Sequence, residues 1–179
     1  MLPLFTRQGV LPPGDYEMTL DGLKSSILVA GPPQSVNWDA TWRLKLVNNL
    51  EILAKQLWAI GITDIYINGS FVENRDRPND IDGYFVCDLT DYVNGKIVQK
   101  LNSIDPYKAW GWDDSSRHPG RQLPLWHRYR VVLWPYSYGT MFGFDENNNL
   151  LEMSQAFRRT KANRRPKGIV RLKAPEILP

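Results

Sequence analysis

Two aspartates placed two residues apart, Asp80 and Asp82, follow the dipeptide Gly69-Ser70 after nine intervening residues. In an extended strand, side chains two apart face the same way, so the two carboxylates would stand side by side while Ile81 turns into the core. Like charges at that range repel unless a cation lies between them, and hard oxygen ligands suit Mg²⁺ or Mn²⁺, commonly completed by substrate phosphates. Gly69 would let a phosphate approach the backbone with no Cβ in the way. Ser70 would add a hydroxyl at an expected helix N-terminus, whose free amides favour an anion. Arg75 and Arg77 lie in the loop between, either on phosphates or solvated. The chemistry these residues suggest is the holding of a metal-bound triphosphate.

The elements that must position them follow from periodicity and punctuation. Leu11-Pro12-Pro13-Gly14-Asp15-Tyr16 reads as an extended lead-in, and Thr19 can cap a helix to about Leu28, ended by Gly31-Pro32-Pro33. A second helix is expected from Ser35 or Asn37 to Ile60, with Trp42, Leu46, Leu50, Leu53 and Leu57 as one apolar stripe and Gly61 as its C-cap. Thr63 to Ile67 predicts a strand opening directly into Gly69-Ser70, and Ile81 to Cys87 a second strand. A helix is expected between Asp91 and Ile104, then a polar loop, and a third strand from Arg128 to Trp134 stopped by Pro135. Leu150 to Phe157 reads as a short helix and Gly168 to Leu172 as a last strand. Together these predict an α/β (α+β) fold, a small mixed sheet with helices packed mainly on one face.

At 179 residues the chain suits one domain spanning 1–179, and its start lacks the features of a secretory signal, so a cytoplasmic protein with no membrane span is expected. A single cysteine, Cys87, excludes an internal disulfide and reads as a small core residue. The net charge of +3 is unevenly distributed: the segment 158–173 carries Arg158, Arg159, Lys161, Arg164, Arg165, Lys167, Arg171 and Lys173 without an acid. Such a block either meets phosphate, with Arg164, Arg165 and Lys167 as candidate nucleic-acid contacts, or is a solvated tail. Trp110, Trp112, Trp126 and Trp134 cluster around the polar loop and third strand, for core packing or base stacking.

The Gly69-Ser70 turn followed by Asp80-Ile81-Asp82 resembles the signature of the polymerase-beta-type nucleotidyltransferase superfamily. Leu11-Pro12-Pro13-Gly14, Leu133-Trp134-Pro135-Tyr136 and Pro166-Lys167-Gly168-Ile169-Val170 are similar to segments of a small bacterial and phage family of nucleotidyltransferase-like proteins. The resemblance implies the minimal nucleotidyltransferase fold and transfer of a nucleoside monophosphate from an NTP to a hydroxyl of RNA, protein or a small molecule. It implies Gly69 and Ser70 on the β- and γ-phosphates, Asp80 and Asp82 on Mg²⁺ or Mn²⁺, and by analogy a phage or defence setting. The superfamily's third carboxylate has no counterpart, since the expected strand is His127-Arg128-Tyr129-Arg130-Val131-Val132-Leu133-Trp134 with Val132 at that place. Asp113, Asp114 or Asp145 from a loop, or His127, could complete the site, whereas His118 beside Pro119 reads as exposed. The alternatives are a non-catalytic module on the same fold that binds nucleic acid or protein, and a structural or inhibitor protein.

Overall fold

The structure, a computed structural model, describes residues 2–33, 35–112 and 122–175. Five strands form one mixed sheet in the spatial order β1 (Asp15–Met18), β7 (Ile169–Leu172), β2 (Ile65–Asn68), β3 (Ile81–Val86) and β4 (Val131–Tyr136). The outer pairs β1·β7 and β3·β4 are parallel, while β2 is antiparallel to both β7 and β3. The architecture is α+β, as the alternation of elements predicts.

Strand alternation divides the sheet into two faces. Ile65, Ile67, Ile81, Phe85, Leu133, Val170 and Leu172 belong to the main core with Leu46, Leu50, Leu53 and Leu57 of the long helix α3 (Ala40–Ala59). Truncating any of these leucines to alanine would cost about 2–5 kcal/mol. The other face carries Tyr84, Tyr136 and Ile169, covered by Met153 and Phe157 in and just after the short helix α7 (Met153–Ala156). A separate hairpin of β5 (Met141–Phe144) and β6 (Leu150–Glu152) leads into α7.

Several boundaries differ from the sequence expectation for local reasons. The helix expected after Thr19 is two, α1 (Leu20–Lys24) and α2 (Ile27–Ala30), because Ser26 caps the second by accepting from the Leu28 amide. The long helix starts at Ala40, where Asp39 accepts from the Trp42 amide, and it ends before Gly61 at φ +87°. Gly95, at φ +71°, divides the next helix into α4 (Leu89–Val93) and α5 (Lys96–Ile104).

The largest correction concerns 124–136. Pro124 starts a helix, α6 (Pro124–Tyr129), which stops at Arg130 in the left-handed region. Only then does β4 begin, and Pro135 lies inside it rather than ending it, which an edge strand tolerates. Likewise 150–152 pairs as β6 instead of joining a helix. The basic segment is no tail, since its end forms β7 between β1 and β2. Among the described residues no helix is long and apolar enough to cross a membrane.

Candidate functional site

Strand register brings the motif together. Asn68, last in β2, lies opposite Asp82 of β3, which in turn lies opposite Val132 of β4. Directly opposed residues point to the same side, so these three form a row on the face away from α3. Asn68 is only 2 % exposed, and its Oδ1 has no hydrogen-bond partner among the described residues. Buried acceptors are seldom left so, and here the orphan oxygen neighbours a carboxylate.

The chain leaves Asn68 through one 3-10 turn, Gly69–Val72, and no longer helix follows, contrary to the expected helix N-terminus. Gly69 has φ +69°, and a Cβ there would lie 2.5 Å from Asp82 Oδ2. The glycine is thus required by the adjacent aspartate as well as by the turn, a reason the sequence alone does not reveal. Gly69→Ala is expected to cost about 1–3 kcal/mol, part of it recovered in an Asp82→Ala background. Urea unfolding of the four proteins of that cycle measures the coupling, and full additivity would contradict the contact.

Asp82 is only partly exposed, and its pKa is pushed up to about 6 by burial first and the charge of Asp80 second, against Lys161 and Lys167. Asp80 is held from the other side by the Trp126 indole, whose Nε1 donates to Oδ2 at 2.7 Å. Arg130 stacks over that indole at 3.7 Å. Trp126 can do this because α6, absent from the sequence reading, carries it to the edge of β4.

Lys167 is not a surface cation available to nucleic acid. It is 3 % exposed, and its Nζ donates to the Gly69 carbonyl at 3.0 Å and to Glu73 Oε1 at 2.6 Å. Burial pulls its pKa down and Glu73 opposes this. It ties the segment leading into β7 to the Gly-Ser turn.

The loop after the turn is held by a residue the sequence reading passed over. Arg43 on α3 is fully buried and donates to the carbonyls of Leu28, Phe71, Glu73 and Arg75 at 2.5–3.1 Å. Burial brings its pKa down to about 9, and Trp38 lies under the guanidinium at 3.8 Å. An arginine on the apolar side of a helical stripe was the available signal. Of the two loop arginines, Arg77 pairs with Asp39 over Trp42. The Arg75 side chain is exposed.

The remaining candidates are scattered. His127 is exposed on α6 rather than on a strand. Asp145 sits in the β5–β6 turn, where its carboxylate accepts from the Asn147 and Asn149 amides. Asp113, Asp114 and His118 lie outside the described residues. Trp110 and Trp112 pack against Phe85 in the core, as does the partly buried Cys87. One cavity of about 290 Å³ is lined by Ile60, Asp64, Cys87 and Lys100 at the far end of the sheet, and another of about 560 Å³ lies on the loop after the turn, lined by Pro32, Ser35, Asn74, Arg75 and Asp76.

Two neighbouring carboxylates, one of them desolvated, beside an orphaned amide oxygen fit a hard divalent cation. The protein set is incomplete, since among the described residues no three His, Cys, Asp or Glu side chains converge. Phosphate oxygens and water would have to supply the rest.

Residues 3–173 match the model of a family of unknown function (DUF6932). No curated protein and no solved structure matches the chain.

Proposed function

The chain belongs to that family, and from its own residues we propose that it binds a nucleoside triphosphate with Mg²⁺ or Mn²⁺ at Asp80 and Asp82 and transfers a nucleoside monophosphate to an acceptor hydroxyl. The single observation that carries this reading is the pairing of Asn68 with Asp82, with Gly69 against Asp82 and Asp80 two residues away, a concentration of oxygen acceptors with one orphaned and one desolvated. A cation bound there would offset the charge of the triphosphate and polarise the phosphoryl oxygens.

The protein's own part is positioning. Trp126 fixes one oxygen of Asp80, Lys167 fixes the turn that carries Ser70, and Arg43 fixes the loop that carries Arg75. Ser70 and Arg75 would then contact the phosphates. In the transfer the acceptor oxygen bonds to the α-phosphorus as the bond to pyrophosphate breaks, and the hydroxyl proton passes to water. The products are the nucleotidylated acceptor, pyrophosphate and a proton.

One observation favours a second reading, binding without turnover. Val132 stands directly opposite Asp82, 5 % exposed, where an acid could have served the attacking hydroxyl. Both readings share a first test. With Mn²⁺ and an NTP at a hundred times its Kd, stabilisation of about 2.7 kcal/mol is expected, a rise in Tm of roughly 5–10 °C at this chain length. Asp80→Ala with Asp82→Ala should remove it, and no shift with any NTP would sink both readings. Transfer of label from [α-³²P]NTP to RNA or protein then separates turnover from binding alone.

A further inference from the structure

The β5–β6 hairpin, which leads into the helix that covers the Asp82 face of the sheet, carries three exposed aromatic groups. Tyr138 is 81 % exposed, Phe142 54 % and Phe144 49 %, all in or just before the β5–β6 hairpin. Scattered apolar side chains need no explanation, but three exposed rings within seven residues of one hairpin call for one. The basic segment that leaves α7 packs onto the same hairpin. Arg159 pairs with Glu146, and Arg164 donates to the Asp145 carbonyl at 2.9 Å and to Asn148 Oδ1 at 2.8 Å.

These contacts sort the charges. The hairpin's acids are turned to internal use: Glu146 on Arg159, Asp145 on the turn amides, and Glu152 on the Tyr136 hydroxyl and the Gly139 amide. Arg159 and Arg164 serve as struts. Lys161 and Arg165 remain exposed, with no ion pair among the described residues. Lys161 lies near enough to Asp82 for its charge to be felt there. Exposed rings thus stand on the hairpin against which a segment packs whose Lys161 and Arg165 have no ion pair among the described residues.

We infer that this surface docks a single-stranded nucleic acid, with bases on Tyr138, Phe142 and Phe144 and phosphates on Lys161 and Arg165. Unpaired bases offer ring faces and a phosphate accompanies each one, so rings beside cations match that polymer. A second copy of this chain docked hairpin to hairpin would set the same cations against their counterparts, and a paired duplex would offer no free base faces. That the docked strand is the acceptor rests on the nucleotidyl-transfer reading; the docking itself does not.

The test is fluorescence anisotropy of a 5′-labelled 12-nucleotide RNA, and of the same sequence as duplex, titrated with the full chain at 50–200 mM KCl. Preferential binding of the single strand is expected. Lys161→Ala with Arg165→Ala should lower the slope of log K against log salt by about 1.4, and Phe142→Ala with Phe144→Ala should weaken binding at least tenfold. Arg165→Glu, on an exposed side chain, supplies a variant whose folding is not in question and should also weaken binding. Absent binding at 50 mM KCl, equal affinity of the ring and cation variants, or a concentration-dependent dimer that leaves no strand binding would overturn the inference. Strand binding without any NTP effect would uphold this surface while removing the nucleotide reading, and the reverse result would do the opposite.

Discussion

Asp82→Asn is expected to make the metal-free protein more stable at pH 7 while abolishing its stabilisation by Mn²⁺ and an NTP. The pKa of Asp82 lies near 6 in the fold against 3.8 ordinarily, so the folded chain holds that proton more tightly than the unfolded chain does. The contribution of Asp82 to metal-free stability therefore falls as pH rises from about 4 to about 6, and its loss is complete at neutral pH. A shift of roughly two pH units corresponds to at most about 3 kcal/mol, and partial exposure reduces this to on the order of 2 kcal/mol. Asparagine keeps the shape and removes the charge. Urea unfolding at pH 4, 6 and 7.5 should show Asp82→Asn gaining stability relative to the native chain across the series. If Asp82→Asn instead lowers stability at pH 7, the carboxylate is a structural anchor, and the charge crowding invoked for a cation is wrong. A residue that destabilises its own fold until a ligand arrives is the pattern expected of a binding site.

Arg43→Leu is expected to produce the largest loss of stability among single substitutions near the site, about 4 kcal/mol or more. Leucine would fill much of the volume yet leave the carbonyls of Leu28, Phe71, Glu73 and Arg75 without their buried donor. Arg43→Lys keeps the charge, but one ammonium cannot span four carbonyls, so a loss of about 2 kcal/mol is expected there. Because the loop also hangs on the Asn74 amide bonding the Gly9 carbonyl at 2.7 Å, hydrogen exchange gives a local readout. The Asn74 amide should exchange faster in Arg43→Lys while amides in the middle of α3 keep their protection. Uniform acceleration would mean that Arg43 supports the whole fold rather than the loop.

The strongest elements were legible in the sequence because local chemistry decided them. The α3 stripe, its Gly61 terminus, and the strands at Ile65 and Ile81 depend on periodicity and on residues that favour one backbone state. Elements of weak local preference were misread. Residues 124–129 are helical because Pro124 starts a turn, although their aromatic and basic content suits a strand equally well. Leu150 to Glu152 became a strand because a partner, β5, was available.

The site divides in the same way. That Asp80 and Asp82 share a direction follows from a period of two, which sequence alone carries. What surrounds them depends on strand order and register, which bring together residues distant along the chain. Only the tertiary structure places Asn68 and Val132 either side of Asp82, Trp126 on Asp80, and Gly69 so close to Asp82 that no side chain fits. It also removes Lys167 from the surface, because a basic stretch that reads as a solvated tail ends as an interior strand, and the ammonium just ahead of that strand holds the Gly-Ser turn. Charge along a chain is a local property; whether that charge faces water or a buried carbonyl is decided by packing.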